Sequence, residues 1–441
     1  MVDAVTLRPA VRADENATGA AARQAPASLA LDNLRGVVIF VVVAFHAVSA
    51  YLGSLPNHPY NFEQPPYLWR AFPIVDGHRW FGFDVFCAWQ DVCLMCLMFF
   101  LSALFARPSM ERKGTGNYLR DRLLRLGIPW AFGVVVMMPV AAYPVYRVGA
   151  SDPGIAAYVQ HYLALPFVPN GPMWFLWQLL AITVLASALN AFAPRFVDRL
   201  ARISAQAEER PFRYFLGLTA AALTAYVPMA LLFTPMAWAN SGPVAVQFCR
   251  PLLYAVVYLA GLGMGARGLN RGLFAPKAKL AEHWKRWLAG GLAGYALWIG
   301  FMAWSMTNPH ALWLQIAAAV SFALACISGC FGAFAVALRF GARRSPILSS
   351  ASRNAFGMYV LHYPFVIWMQ YALLGSALFA IAKGAMVFAV ALLCSWGLSI
   401  AFRANPITSF LIGGERRAFG RAGRSRLAAS ETDCRPARAA R

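Results

Sequence analysis

The sequence predicts an all-α, polytopic integral membrane protein of about ten transmembrane helices, with its N-terminus and C-terminus in the cytoplasm. Of the 441 residues, 60% are hydrophobic and only 13% are charged, whereas soluble proteins carry about 25% charged residues. Aromatic residues alone account for 14% of the chain. Too few polar side chains remain to cover a water-exposed surface, so lipid must be the solvent for much of the protein.

Ten apolar stretches are long enough to span the hydrocarbon core of a bilayer. We predict helices near residues 33–53, 84–106, 123–146, 170–193, 212–235, 250–267, 286–306, 311–339, 353–372 and 376–402. These helices define a transmembrane domain over residues 31–403. The polar segment 1–30 and the basic segment 404–441 are expected to be disordered cytoplasmic tails.

The distribution of charge supports this helix count and predicts its orientation. With a cytoplasmic N-terminus, the outer segments and helix ends hold only five of the 39 Lys and Arg residues, namely Arg70, Arg79, Arg147, Arg250 and Lys383. Basic residues concentrate in cytoplasmic loops, and shifting the count by one helix would destroy the alternation. The net charge of +21 therefore indicates membrane orientation rather than binding to nucleic acid.

The first predicted helix carries His46 eleven residues after Arg35. At ~1.5 Å per residue, His46 is expected roughly 16 Å deeper than Arg35, near the bilayer midplane. Eleven steps of ~100° also return it to within ~20° of the Arg35 face. An ionisable group within a span is a functional candidate. The alternative is a hydrogen-bonded core histidine below an arginine that merely reaches the interface.

A second basic group precedes the third predicted helix, in the sequence NYLRDRLLRLGIP. Arg122 and Arg125 are expected to share a helix face at a spacing of three, with Arg120 nearby. Guanidinium groups in this position can bind phosphate bidentately. Basic residues also belong at this boundary for topological reasons, and spacing alone favours that second interpretation.

Two later helices carry further candidates. Trp174 follows a Gly-Pro break at the start of the fourth span, as is typical of an interfacial aromatic belt. Tyr359 and His362 lie on one face of the ninth span, either as functional groups or as packing contacts between helices. The outer segment Ser54–Phe83 is dense in Pro and aromatic residues, and we expect it to fold over the outer mouth of a cavity.

The remaining polar residues within the spans have structural interpretations. Asp84 and Asp91 lie seven apart on one face of the second helix, and Lys383 is expected to extend to the outer interface. Cys93 and Cys96 have the spacing of a metal motif, but no second Cys or His pair follows, so no metal site is expected. No Walker loop, GxSxG elbow, HExxH or dinucleotide motif occurs in a usable context.

Taken in order, several of these motifs form a set. An LDxLRG opening, the Arg35–His46 spacing, FFLSALF, RLLRLGIP, GPMWFL and a late Tyr-x-x-His run from about Asp32 to Arg403. This set resembles the membrane acyltransferase-3 family, whose ten-helix members move acetyl or succinyl groups from coenzyme A onto hydroxyls of extracytoplasmic carbohydrates or lipids. The start of the third helix is also similar to the glucan-succinylating branch. One departure is Ser102–Ala103, where the family usually has Ser-Gly.

The resemblance implies an acyl-CoA-dependent O-acyltransferase in the cytoplasmic (inner) membrane. Acetyl-CoA or succinyl-CoA would be the donor substrate, no cofactor would be permanently bound, and a carbohydrate or glycolipid would be the acceptor. By resemblance, His46 matches the essential histidine, Arg35 its paired arginine, and Arg122 and Arg125 the family's arginine pair. Three further residues are candidates for supporting roles: Trp174, Tyr359 and His362.

A mechanism follows as a hypothesis. His46 would take the proton of the acceptor hydroxyl, while the arginines hold the coenzyme A phosphates about one pantetheine length away, ~15–20 Å. The alternative function is a polytopic transporter or flippase of a lipid-linked or sugar substrate. Such a protein would need inverted repeats or paired broken helices around a midplane site, and the sequence shows no such repeat. A non-enzymatic scaffold would leave the Arg35–His46 spacing unexplained.

Overall fold

The computed structural model describes residues 26–269, 271–275 and 278–414. Helices dominate this part of the chain, and its one sheet is an antiparallel hairpin of β1 (Trp238–Ser241) and β2 (Val244–Gln247). The longer helices are α1 (Pro26–Val48), α2 (Phe81–Ala103), α3 (Ala106–Lys113), α4 (Thr115–Gly149), α5 (Ile155–Leu163), α6 (Trp174–Phe192), α7 (Pro194–Ala205), α8 (Pro211–Phe233), α9 (Pro251–Gly265), α10 (Trp284–Thr307), α11 (Leu312–Phe340), α12 (Pro346–Ala372), α13 (Ala380–Ala404) and α14 (Pro406–Leu411). Single turns occur at Leu68–Arg70, Gly171–Met173, Gln206–Glu208, Gly272–Phe274 and Lys279–Glu282.

Eight of the described helices are long and apolar enough to cross a bilayer, namely α1, α2, α4, α6, α8, α10, α11 and α13. The other two predicted spans also form helices. Helix α9 has only 15 residues, and α12 is long but carries buried polar side chains such as Asn354 and Gln370. Helix α12 tolerates these groups because it faces protein rather than lipid along most of its length. The predicted class, an all-α polytopic membrane protein, is confirmed.

The ends of the helical region differ from the prediction. Helix α1 begins at Pro26, so residues 26–30 are helical rather than part of a tail. The short helix α14 likewise lies within the segment that was expected to be a disordered tail; Asn405 caps it by accepting a hydrogen bond from the Ile407 amide at 2.8 Å. The rest of the two predicted tails, 1–25 and 415–441, lies outside the described residues.

The third predicted helix is longer and less regular than expected. Helix α4 begins at Thr115, and π-helical turns replace the α-helix at Leu123–Gly127 and Gly133–Met137. Such turns are uncommon and often occur at functional sites. Helix α4 also approaches the turn before α6 so closely that a Cβ atom on Gly133 would overlap Met173. A larger residue at this crossing would require the buried Met173 side chain to move.

Small residues likewise allow α2 and α9 to pack backbone to backbone. A Cβ atom on Gly261 or Gly265 of α9 would collide with the carbonyl oxygens of Phe100 and Leu104, as expected for two glycines four apart on one helix face. Ala103 stands where the family usually has glycine, and it is fully buried against Gly261. The glycine on the opposite helix supplies the space that Ala103 takes up.

Two buried ion pairs connect the outer segments to the helices. Lys383 of α13 was expected to extend to the interface, but it is fully buried and its Nζ lies 2.7 and 2.9 Å from the Asp76 carboxylate oxygens. Arg250 makes a two-pronged ion pair with Asp91 of α2 at 2.6 Å. A buried cation needs a partner, and the outer loop supplies Asp76 to Lys383. The snorkelling interpretation of Lys383 is wrong for this reason.

Helix α12 lies at the centre of the fold and positions the candidate site. It packs against α1, α13 and α4, while α11 packs against α10, α8 and α2. The segment between α1 and α2 closes over this centre from the side predicted to be outer. In this segment Trp69 is buried and donates to the Phe62 carbonyl oxygen at 3.1 Å. The site described below lies where α1 and α12 cross.

Candidate active site

His46 and His362 face each other where α1 crosses α12. Their ring centroids are 5.1 Å apart. His362 is fully buried, and its Nδ1 lies 2.7 Å from the Tyr359 carbonyl oxygen. A carbonyl oxygen only accepts hydrogen bonds, so Nδ1 carries the hydrogen and Nε2 of the neutral ring is an acceptor. Within the described chain, that buried Nε2 has no hydrogen-bond partner.

The environment of His46 differs from that of a hydrogen-bonded core histidine. Its imidazole contacts the rings of Phe45 and Tyr363, at centroid distances of 4.9 and 5.3 Å, and makes no hydrogen bond with a described residue. Its carbonyl oxygen, by contrast, accepts from Ser49 Oγ at 2.8 Å and Gln370 Nε2 at 2.9 Å. The backbone at His46 is thus held firmly while the ring nitrogens stay available.

The position of His46 along its helix differs from the prediction. Because α1 starts at Pro26 and ends at Val48, His46 lies in the last turn of the helix, and Arg35 lies near its middle. The spacing of roughly 16 Å between them is kept, since α1 is continuous over these residues. The pair therefore lies nearer the C-terminal end of its helix than predicted. His46 is close to the segment that follows α1, and Arg35 is set back from the N-terminal end of α1.

Arg35 and Arg122 are brought together by the fold. The Arg35 guanidinium lies 4.9 Å above the Phe105 ring and 3.3 Å from Asp32 Oδ1. Arg122 donates through Nε to the Tyr118 hydroxyl at 3.1 Å. The charges of Arg35 and Arg122 are near enough to repel each other. The side chain of Arg35 is still 32% exposed, so this pair is accessible to an anion.

Arg125 occupies a different setting from Arg122. The prediction that both share a face assumed continuous α-helix, but the α-helical turn ends at Arg122 and the π-helical turn begins at Leu123. A π-helical turn holds more residues than an α-helical one, so a spacing of three no longer returns to the same face. Arg125 is exposed and its carbonyl oxygen packs near Gly413, whereas Arg122 is half-buried.

Tyr359 connects this centre to the turn before α6, and Trp174 lies further away. The Tyr359 hydroxyl donates to the Pro172 carbonyl oxygen. Trp174 packs instead against Trp238 of β1 and Tyr254 of α9, at centroid distances of 5.6 and 6.4 Å. Tyr359 therefore shares the environment of His362, and Trp174 helps to anchor the hairpin.

A narrow cleft of about 20 Å³ lies on the side of His46 that is predicted to be outer. The Tyr363 side chain forms part of the cleft wall and also contacts the His46 ring. Tyr363 therefore connects the cleft to the histidine. Arg70 also lines the cleft, and its guanidinium lies 4.5 Å above the Phe167 ring. Burial lowers the pKa of Arg70, but the side chain remains charged at neutral pH. Further lining residues are Trp69, Pro73, Met138, Asn170 and Asn240.

Several residues of this site are not evident from sequence motifs. Gln370 is a polar residue inside a span, and that signal alone marks it as a candidate. Tyr363 lies seven residues before Gln370, which places both on one face of α12. Phe105 belongs to the FFLSALF motif, but its role as a platform for Arg35 depends on how α1 and α2 pack. Gln370 and Tyr363 could therefore have been found from the sequence, whereas the role of Phe105 could not.

A family model described as an acyltransferase domain matches residues 28–400. The chain belongs to the acyltransferase-3 family. Comparison with curated proteins and with solved structures found no match. The family and the apolar helices together identify a multi-pass membrane acyltransferase. The matched region runs from the first turn of α1 to the last turns of α13, and it contains every residue of the site.

Proposed function

We propose that this acyltransferase moves an acetyl or succinyl group from cytoplasmic acyl-CoA to a hydroxyl of an extracytoplasmic carbohydrate or glycolipid, with His46 as the general base. The observation that carries the proposal is the position of the His46 ring. It lies between the Arg35–Arg122 pair on one side and the outer cleft on the other. A donor and an acceptor can therefore approach the same imidazole from opposite sides of the membrane.

The inner side suits the phosphates of the donor. Arg35 and Arg122 repel each other in the absence of a ligand, and a phosphate between them would relieve that repulsion through charge-assisted hydrogen bonds. The roughly 16 Å from Arg35 to His46 along α1 is comparable to an extended pantetheine arm. Arg125 would assist from the exposed side of α4. The thioester would then lie beside the imidazole.

The centre suits proton transfer. The acceptor hydroxyl gives its proton to His46 as its oxygen attacks the thioester carbonyl. When the tetrahedral intermediate collapses, the carbon–sulfur bond breaks and His46 returns the proton to the departing thiolate of coenzyme A. His362 Nε2, a buried acceptor without a partner in the described chain, is suited to receive an N–H of His46 and to orient it. Tyr359 would in turn hold His362 in place.

The outer side suits a sugar ring. Phe167 is partly exposed at the cleft, beside the buried rings of Trp69 and Tyr363, and aromatic faces pack well against the apolar faces of sugars. Arg70 and Asn170 add hydrogen-bonding groups at the same wall. Because Tyr363 lies between the narrow cleft and the His46 ring, its side chain would have to move for an acceptor hydroxyl to reach the imidazole. This combination supports a carbohydrate or glycolipid acceptor.

The test uses purified protein in nanodiscs, labelled acetyl-CoA or succinyl-CoA, and a glycolipid or glucan acceptor. His46→Ala should lower turnover by about 10²- to 10⁴-fold, the usual contribution of a general base. His310→Ala is the matched control, because His310 is exposed in the loop between α10 and α11. Full activity of the His46 variant would contradict the role of this residue. Movement of the acceptor without acylation would favour the transporter alternative.

A further inference from the structure

Three arginines from distant parts of the sequence meet around a second hollow, on the side predicted to be cytoplasmic. Arg107 comes from α3, Arg202 from the amphipathic helix α7, and Arg267 follows the end of α9. The hollow is open to solvent and has a volume of about 370 Å³, and its remaining walls are Asp198, Ala201 and Ala266. The site described above uses none of these residues.

Arg107 is held in a fixed position with part of its guanidinium unused. Its Nε lies 2.8 Å from Glu111 Oε1, and its Nη2 lies 2.5 Å from Asp198 Oδ1. The third nitrogen, Nη1, is buried and has no hydrogen-bond partner among the described residues. An unpaired buried donor is costly, and an anion in the hollow would satisfy it.

The hollow favours negative charge. The hydrogen bond and the charge of Arg107 hold the pKa of the exposed Asp198 below its usual range, and Arg202 and Arg267 act in the same direction. Three guanidinium groups against one lining carboxylate leave the hollow positive even when Asp198 and Glu111 are both ionised. Arg202 and Arg267 are themselves exposed, so an incoming anion meets them first.

The hollow is connected through α3 to the Arg35–Arg122 pair, where the proposed function places the donor phosphates. Phe105, whose ring supports the Arg35 guanidinium, precedes Arg107 by only two residues. Two residues of chain span at most ~7 Å, so the backbone of Arg107 lies close to that of the residue that supports Arg35. Arg35 is recessed along α1, and the hollow lies beside the amphipathic helix α7. The two candidate sources of an anion for the hollow are a nucleotide whose phosphates lie at Arg35 and Arg122 and a lipid headgroup beside α7.

We propose that Arg107, Arg202 and Arg267 form a second anion site that binds a phosphate group. The nucleotide end of acyl-CoA carries this chemistry in its 3′-phosphate, and an anionic phospholipid carries it in its headgroup. The donor source rests on the proposed function; the lipid source does not. A phosphate in the hollow bonds to Arg107 Nη1 and to the exposed guanidinium groups of Arg202 and Arg267.

The experiment compares the wild type with an Arg202→Gln/Arg267→Gln double variant in nanodiscs. Both residues are exposed, so the variant should fold. The matched control is Arg195→Gln/Arg199→Gln, which removes two exposed charges near the start and middle of α7 that do not line the hollow. In phosphatidylcholine discs, affinity is measured for coenzyme A and for dephospho-coenzyme A. In a second arm, enrichment of phosphatidylglycerol around the protein is measured.

If the hollow binds the donor's 3′-phosphate, the wild type should bind coenzyme A about tenfold more tightly than dephospho-coenzyme A. Only the Arg202→Gln/Arg267→Gln variant, called the hollow variant, should lose this preference. A lipid site predicts that only the hollow variant loses phosphatidylglycerol enrichment. If the hollow variant matches the control in both arms, or if the wild type shows neither effect, the inference is overturned. The proposed function fails separately, by absence of acyl transfer from any acyl-CoA in the wild type.

Asp198→Asn gives an independent check, because this carboxylate competes with an incoming anion for Arg107. The substitution should tighten the binding of the same ligand by a few-fold. Unchanged or weaker binding would contradict a phosphate seat at Arg107.

Discussion

Two pairs of cationic side chains, one on the side predicted to be outer and one on the side predicted to be inner, lie in opposite settings. In the outer pair, Lys383 and Arg250 are buried and each is neutralised by a carboxylate of the protein, at 2.6 to 2.9 Å. In the inner pair, Arg35 remains partly exposed with a 3.3 Å contact to Asp32, and the half-buried Arg122 donates to the Tyr118 hydroxyl at 3.1 Å. Lys383 and Arg250 therefore stabilise the fold, whereas Arg35 and Arg122 are less completely neutralised by the protein.

The largest effect on stability should come from removing one member of the buried Lys383–Asp76 ion pair. Lys383→Ala leaves the carboxylate of Asp76 buried without its partner, and loss of one member of a buried pair costs about 3–5 kcal/mol. Thermal unfolding in detergent should show this destabilisation. The control is Arg147→Ala on the same side, whose side chain is exposed and forms no ion pair among the described residues. An unchanged unfolding midpoint for the Lys383 variant would mean that the outer pair is dispensable.

A double replacement sharpens the same comparison. Lys383→Met together with Asp76→Leu removes both charges and should recover much of the stability lost in the single variant, since a buried pair can be replaced by apolar residues. The same strategy has no counterpart on the inner half. Under the proposed function, the charges there bind the donor, so neutralising them should change binding while leaving the unfolding midpoint nearly unaltered.

The sequence predicts features that depend on residues close together in the chain, and it does not predict contacts between distant residues. The Arg35–His46 spacing was found because it depends only on the regular geometry of one helix. The Lys383–Asp76 pair joins positions 307 residues apart, and no local pattern distinguishes it from a snorkelling lysine. The π-helical turns of α4 were equally hidden, and they separate Arg122 from Arg125. Local periodicity reveals helices and spacings, whereas packing between helices decides which charges meet.

Replacing either of the two arginines Arg122 and Arg125 of α4 should have an intermediate effect, on the affinity for coenzyme A. Arg122→Gln should weaken coenzyme A binding by about tenfold, because a charge-assisted hydrogen bond is worth about 1.5 kcal/mol or more. Arg125→Gln should weaken it less, since Arg125 is exposed and lies beyond the start of the π-helical turn. Isothermal titration with coenzyme A separates the two. Equal losses would mean that the arginines act as a symmetric pair despite the irregular helix.

The smallest effect should come from the outer cleft, where aromatic contact rather than charge is expected to hold the acceptor. Phe167→Leu keeps an apolar side chain but removes a ring face, a change of about 0.5–1.5 kcal/mol, so kcat/KM for the acceptor should fall by a few-fold. The affinity for coenzyme A should not change, because the cleft and the arginine pair lie on opposite sides of His46. Phe192→Leu is the control, since this ring is 90% exposed and remote from the cleft. If the Phe167 variant instead weakened coenzyme A binding, the two halves would not be independent, and the assignment of donor and acceptor to opposite sides of His46 would have to be abandoned.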